Sequence, residues 1–376
     1  MKKIRVLHCL ETVGSGGVEQ RRLSLVNRLD PERYEQHLIC TKAVGGLPEK
    51  FQMAGCSITE VGVLNGIFDR RPYKEALKVA KDFRPDIIHG AVYEGVALAA
   101  VVGRLARVPI VVGEETSDPQ TRSWKGSLLY RMITAATHHM VAVSPAVETY
   151  LRQGIKLPKS KVSMIANGVA EKPSAKREDI LRVRDEIGVE PGDYVIGTVG
   201  RLFDEHKRVS DLIRALPNVI EHVPGVKLLI VGTGPDEDKL RDLALELDVK
   251  DRVFFAGYQA DPQAYYEVMD VFALASASEA FGLVLVEAMF AGLPVVATRT
   301  GGIPKVVCEG ETALLVDTYS PSALAGALVR IFEDPERALA MGTKGRLRAR
   351  KYFSEKRYVS DVDTLYTRLL SERGFR

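Results

Sequence analysis

Twice along this chain, short β-branched runs alternate with helix-period segments, and this alternation constrains the fold more than any other feature. In the first half the apolar runs are IRVLHCL, QHLICT, DIIHGAV, PIVVGEE, HHMVAVS and KVSMIANGV. Between them lie VEQRRLSLVNRL, YKEALKVAKDF and GVALAAVVGRLARV, whose apolar residues recur at helical spacing. Buried strands separated by helices of about 10–15 residues require βαβ crossovers and a parallel sheet. A polar interruption follows, AEKPSAKREDILRVRDEIGVEPGD, and the pattern restarts with YVIGTVG, KLLIVGTG, RVFFAGY, DVFALAS and LPVVATRT. The reading is two successive α/β domains, residues 1–172 and 190–353, joined near 170–192, with a helical tail at 354–376. At 376 residues the chain can hold two cores, since single cores stop growing near roughly 250–300 residues.

The 46% hydrophobic and 27% charged composition suits a globular protein, and no apolar run reaches the roughly 18 residues that span a bilayer. Arg5 and Glu11 confine the first apolar run and no small-residue cleavage site follows, so a buried strand is expected there instead of a signal peptide. Cys9, Cys40, Cys56 and Cys308 form no CxxC pair, which predicts a reduced, cytoplasmic protein without a zinc site. The net charge of +3 conceals an asymmetry: residues 1–175 carry 25 Lys and Arg against 17 Asp and Glu, and residues 176–376 carry 27 against 32. A basic first half suits an anionic partner or the inner face of an anionic membrane, the alternative being a solvated surface. No stretch with an aromatic-rich apolar face stands out, so insertion of a helix into lipid is not expected. No nucleic-acid partner is expected.

Parallel sheets bind ligands at the carboxyl ends of their strands, and the polar candidates fall there. In SEAFGLVLVEAMFAGLPVVATRTGGIP a helix begins near Phe281–Gly282, leaving the amides of Phe281, Gly282 and Leu283 free to face an anion. Glu287 lies five residues beyond Gly282, about 7.5 Å along the axis, where a carboxylate can accept from ribose hydroxyls. Glu279, before the helix, would face the transferred group. The plainer readings are a solvated loop for Glu279 and a structural partner of a buried arginine for Glu287. Arg201 ends the strand YVIGTVG and Lys207 opens the next helix, so both can neutralise a departing diphosphate, or else simply add surface charge.

Gly14, Gly16 and Gly17 in ETVGSGGVEQ permit close backbone approach before a helix. This is not a dinucleotide fingerprint, because Glu19 stands where the third glycine belongs; in VGTGPDEDKL Glu237 does the same. The DED at Asp236–Asp238 and the DVD at Asp361–Asp363 lie in helical contexts and are read as structural. His89 and Glu114–Glu115 end strands and are candidates for an acceptor-side base; His138 and His139 are read as structural.

With these residues in view, the chain resembles the retaining nucleotide-sugar glycosyltransferases of family 4 (group 1). The resemblance runs over nearly the whole chain and is carried by SEAFGLVLVEAMFAGLPVVATRTGGIPKVV, VGRL with a following Lys, IANGV, LLIVGTGP and VFFAGY in the family's order. It implies a GT-B fold, two Rossmann-like parallel-sheet domains facing across a cleft, with the last helix crossing back onto the first domain. It further implies that Arg201 and Lys207 bind the diphosphate and Glu287 the ribose. Glu279 would lie beside the donor sugar, the backbone of Phe281–Leu283 would belong to the donor site, and Gly16–Gly17 would close it. Glu279, His89, Arg201 and Lys207 are the expected catalytic set, with no metal or cofactor. Two features depart from the family: Thr116 stands where many members carry a His, and the Arg201-to-Lys207 spacing is one residue longer than usual.

The implied activity is retaining transfer of a hexosyl unit from a UDP- or GDP-sugar to a saccharide or lipid-linked acceptor, in cell-envelope polysaccharide or glycolipid synthesis. Two alternatives are a GT-B sugar-nucleotide epimerase, which needs no acceptor, and a non-catalytic nucleotide-sugar-binding subunit.

Overall fold

A computed structural model describes residues 3–14, 16–64, 69–117 and 123–374. The chain divides into two compact units, Met1–Ala170 with Ser354–Arg376, and Glu171–Phe353.

The first unit is built on seven parallel strands: β1 (Ile4–Val13), β2 (Tyr34–Ala43), β3 (Ser57–Glu60), β4 (Ile87–Ala91), β5 (Ile110–Glu115), β6 (His139–Ala142) and β7 (Val162–Met164). Their spatial order is β3-β2-β1-β4-β5-β6-β7. Crossovers are supplied by α1 (Gly17–Arg28), α2 (Leu47–Met53), α3 (Arg70–Phe83), α4 (Val92–Leu105), α5 (Trp124–Ala135) and α6 (Pro145–Thr149). One sheet face packs Val6, Ile87, Ile110, Val112 and Val141 against α1 and the last helix, Glu355–Ser371, through Tyr358, Val362, Leu365 and Tyr366. On α5, Tyr130 and Ile133 are buried, whereas Trp124, Leu128 and Met132, spaced four apart, are 73%, 54% and 65% exposed. These three form an exposed apolar stripe along α5, with Trp124 its one aromatic residue. The sequence hides the stripe because buried apolar residues share the same short helix.

The second unit has six parallel strands, β8 (Tyr194–Val199), β9 (Val226–Val231), β10 (Val253–Gly257), β11 (Val271–Leu274), β12 (Val295–Thr298) and β13 (Ala313–Val316), in the order β10-β9-β8-β11-β12-β13. Its helices are α7 (Arg177–Glu186), α8 (Asp204–Lys207), α9 (Val209–His222), α10 (Glu237–Glu246), α11 (Gln263–Val268), α12 (Leu283–Ala291), α13 (Ile303–Val306), α14 (Pro321–Glu333) and α15 (Pro335–Tyr352). The Glu355–Ser371 helix is hereafter α16. Part of the polar interruption is thus helical, as α7, with only Val183 buried.

In this sheet the strand order runs outward from β8 to β9 and β10, then returns to β11 on the other side of β8. The carboxyl ends of β8 and β11 therefore flank a topological switch point, where chains leaving two neighbouring strands diverge and leave a crevice. The corresponding point in the first unit lies between β1 and β4.

Candidate functional site

The loops after β8 and β11 meet at the second unit's switch point. The β8 loop packs closely against the loop after β9: a Cβ on Gly232 would lie 1.9 Å from the Gly200 carbonyl oxygen, and one on Gly234 2.2 Å from that of Leu202. The β8 loop is tied down further by Asp204, whose carboxylate accepts from Ser210 N at 2.8 Å and Ser210 Oγ at 2.6 Å. Its own N–H donates to Asp236 Oδ2 at 2.9 Å. The two loops join where Ala277 N donates to His206 O at 2.8 Å.

At this junction Lys207 Nζ lies 2.5 Å from Glu279 Oε2, with both side chains mostly shielded. Lys207 ends the single turn of α8 and reaches the junction of the two loops. Arg208 is turned away onto Asp211 at 2.7 Å. Arg201 is exposed at the strand end, its side chain without a hydrogen-bond or ion-pair partner among the described residues. The helix α12 starts here without a side-chain cap, and its N-cap Gly282 has φ +89°. That left-handed conformation favours glycine, whereas the nearest atom to an added Cβ, Leu285 Cδ1 at 2.9 Å, ends a side chain that can move. The first amides of a helix have no intrahelical acceptor, so this start is electropositive. Gly302 N donates to Glu279 O at 2.8 Å, and a Cβ on Gly302 would lie 2.2 Å from the Ala280 carbonyl oxygen. The GG of TRTGGIP thereby fixes the Glu279 loop from behind.

Along α12, Glu287 is half-buried, and its Oε2 accepts a 2.7 Å hydrogen bond from the Tyr266 hydroxyl. Burial pushes the Glu287 carboxyl above its ordinary range, and the Tyr266 bond and the Lys172 charge oppose that shift. Its structural partner is thus a tyrosine and not a buried arginine. Sequence reading missed Tyr266: it is one of two tyrosines in AYYEVMD, both buried, and nothing in that string tells which hydroxyl reaches Glu287. Ser276, fully buried after β11, gives its carbonyl to Thr298 Oγ1 at 2.5 Å.

In the first unit the glycine turn, of which Ser15 lies outside the described residues, leads into α1 with Gly16 and Gly17 exposed. Glu19 folds back over this helix start: a Cβ on Gly16 would lie 2.2 Å from Glu19 Oε2. A carboxylate therefore already occupies the electropositive end of α1.

His89 requires a correction. It does not end its strand but sits in the middle of β4, 1% exposed, inside a polar network beneath α1 and α16. Its Nδ1 lies 2.9 Å from Arg22 Nη1 and 2.6 Å from the Tyr366 hydroxyl. Arg22 also reaches Glu114 Oε2 at 3.0 Å, and Arg21 lies 2.7 Å from Glu114 Oε1. Burial, then the Arg22 charge, holds the His89 imidazole neutral by lowering its pKa well below the usual value. Sealed from solvent, it meets no acceptor and serves the structure. Glu115 is equally buried and accepts from Ser117 N at 3.0 Å.

Asp363 accepts from Arg33 at 2.9 Å and Asp361 from Arg357 at 2.5 Å, and Asp236 is committed to the Asp204 amide. Among the described residues no group of three His, Cys, Asp or Glu side chains could hold a metal ion, and no helix is long and apolar enough to cross a membrane.

Residues 179–348 match the family described as Glycosyl transferases group 1, and residues 15–172 match Glycosyltransferase Family 4. Over 377 residues the chain is 28% identical to an N-acetyl-alpha-D-glucosaminyl L-malate synthase of Bacillus anthracis, covering 97% of this chain and 96% of that one. It is 37% identical over 194 residues to a D-inositol 3-phosphate glycosyltransferase of Corynebacterium efficiens, covering 50% of this chain but only 45% of that protein. Among solved structures, Anabaena HepE in complex with UDP and glucose superimposes with a TM-score of 0.86 at 21% identity, over 97% of this chain and 99% of that one. WaaG, a glycosyltransferase involved in lipopolysaccharide biosynthesis, gives a TM-score of 0.75 at 17% identity, over 95% and 98%.

Proposed function

Because the chain belongs to the group 1 and family 4 glycosyltransferases and has their GT-B fold, we propose that it transfers a hexosyl unit from a UDP- or GDP-sugar with retention of anomeric configuration. The acceptor is a saccharide or a lipid-linked molecule of cell-envelope synthesis, reached from the inner membrane surface. One observation carries the reading: Lys207 and Glu279 pair at 2.5 Å beside the uncapped start of α12, with Arg201 unengaged at the end of β8. As the bond between the sugar and the diphosphate breaks, negative charge grows on the phosphate oxygens. Lys207, Arg201 and the α12 amides compensate it there. No metal is needed in this scheme. Glu287, held by Tyr266, accepts from the ribose hydroxyls, and Glu279 stands beside the departing sugar.

Attachment at a membrane surface is supported by the exposed stripe Trp124, Leu128 and Met132, which has Lys125 and Arg131 exposed on the same helix. A second reading, a small anionic acceptor, is favoured by the basic first half and by relatives named for L-malate and D-inositol 3-phosphate.

The deciding experiment incubates the protein with UDP-, GDP- and ADP-sugars and a panel of saccharide, lipid-linked and small anionic acceptors. Product anomers are then assigned by NMR. Acceptor-dependent formation of a product that keeps the donor's configuration supports the reading. Conversion of the sugar nucleotide without acceptor would replace it with an epimerase.

A further inference from the structure

At the amino-terminal ends of β5 and β6, the edge of the first unit's sheet opposite its carboxyl rim, lies a depression of about 290 Å³. Gly103, Arg104, Arg107, Val108, Pro109, His138 and Arg373 line it, without a single carboxylate. Three guanidinium groups and an imidazole thus converge on one small space.

Some of this charge has a local explanation. Arg104 Nε donates to Ala136 O at 2.8 Å, and nearby Lys161 Nζ donates to Ala135 O at 3.1 Å. Both cap the carboxyl end of α5, where cations are favoured. That bond uses only Nε of Arg104 and leaves its two terminal nitrogens available. The side chains of Arg107 and Arg373 have no hydrogen-bond or ion-pair partner among the described residues. Arg107 also takes φ +55°, a left-handed conformation that costs a side-chain-bearing residue about 1 kcal/mol or more. Glycine is the usual occupant of such a position after a helix. His138 is fixed as well: the Val111 amide donates to its Nδ1 at 2.8 Å, so the ring proton resides on Nε2, which is left as a donor.

From this arrangement we infer a binding site for a phosphate-bearing anion, held by Arg104, Arg107, Arg373 and the Nε2–H of His138. Planar guanidinium forks suit the oxygens of a phosphate, and an anion relieves the mutual repulsion of the cations around it. Repulsion acts on this cluster: burial and then the charges of Arg373, Arg104 and Lys161 lower the His138 pKa to about 4. This site is separate from the donor site, which belongs to the other unit. The phosphate can be carried by a soluble molecule or by a lipid headgroup.

The test uses the full chain with ring-labelled histidine, the His138 signal being assigned by its loss in His138→Gln. Pyrophosphate replaces chloride at constant ionic strength, and His138 is titrated with and without it. The expected result is a saturable shift of the His138 resonance and a rise of its pKa above about 4. The double substitution Arg104→Gln/Arg373→Gln should weaken that binding at least tenfold. A second arm measures co-sedimentation with phosphatidylglycerol and phosphatidylcholine vesicles. A soluble source is identified if only pyrophosphate binding depends on the two arginines. A headgroup source is identified if only phosphatidylglycerol binding does, by the same tenfold criterion. Dependence in both arms means that the site accepts either. If neither arm responds to the double substitution, the inference is wrong.

Discussion

Acid should open the first unit and spare the second. All five histidines of the first unit, His8, His37, His89, His138 and His139, have pKa values lowered chiefly by burial. His8 is lowered to about 3 and His139 to about 4, and both are at most 2% exposed. No charged form is accommodated at His8: its Nδ1 faces Arg22 Nη1 at 3.3 Å, and its Nε2 bonds Gln36 Oε1 at 3.1 Å. A histidine lowered in the folded state takes up its proton only on unfolding. Its contribution is therefore complete above pH 6.5 and is lost as pH falls from 6.5 towards the folded pKa. Between pH 7.5 and 5.0 each such group costs on the order of 2 kcal/mol, or about 4 kcal/mol for His8 and His139 together. His89 acts in the same direction. Against a total stability of about 5–15 kcal/mol, this makes the first unit marginal.

The cysteines report on the units separately. Cys9, Cys40 and Cys56 are buried in the first unit, and Cys308 belongs to the second. The protein is equilibrated in urea at each pH, pulsed with a thiol reagent, normalised to the unfolded chain at the same pH and mapped by mass spectrometry. The labelling midpoints of the three first-unit thiols should fall by more than about 1 M urea between pH 7.5 and 5.0. Cys308 should move less, and His8→Gln/His139→Gln should shrink the difference. Equal movement of all four thiols, or an undiminished shift in the double variant, would refute the argument.

Glu287→Gln should weaken nucleotide binding about 10-fold or more by calorimetry, because a neutral amide is a poorer acceptor for ribose hydroxyls. Tyr266→Phe removes the bond that opposes the raised Glu287 pKa, so the decline of nucleotide affinity with falling pH should begin at a higher pH than in the unsubstituted protein, with little loss at the alkaline end. A flat affinity profile in that variant would exclude the coupling. Lys207→Ala and Arg201→Ala should each lower turnover by about 10²-fold, read from initial rates at saturating donor. If Lys207→Ala retains full turnover, the Lys207–Glu279 pair is merely structural. Transfer should persist in EDTA; activity abolished by the chelator and restored by manganese would mean that a metal supplies the compensation assigned to the two cations.

Most of the strand pattern was legible, because a parallel strand buried on both faces must read as an apolar run. The strands missed were β3 and β13, each four residues long: Ser57–Glu60 is only partly buried, and Ala313–Val316 is too short to show a period. The placement of Glu279 and Glu287 around a helix start followed from spacing along one element. His89 could not be placed that way. Its burial depends on Arg22, Glu114 and Tyr366, which lie 67, 25 and 277 residues away in sequence and meet it only through the topology. Tyr266 escaped for the same reason, since its partner stands 21 residues further on.

The order of synthesis gives the last helix a further consequence. The second unit is one uninterrupted stretch, whereas the first needs residues from both ends of the chain. Until α16 emerges, Val6, Ile87, Ile110 and Val112 lack the cover of Tyr358, Leu365 and Tyr366, and His89 lacks the Tyr366 hydroxyl. At roughly 5–20 residues per second, the 206 residues that follow Ala170 take on the order of 10–40 s to translate. Through that interval a nascent chain carries an uncovered apolar sheet face while the later unit closes behind it. The half of the protein made first is completed last, and its dependence on chaperones should concentrate there.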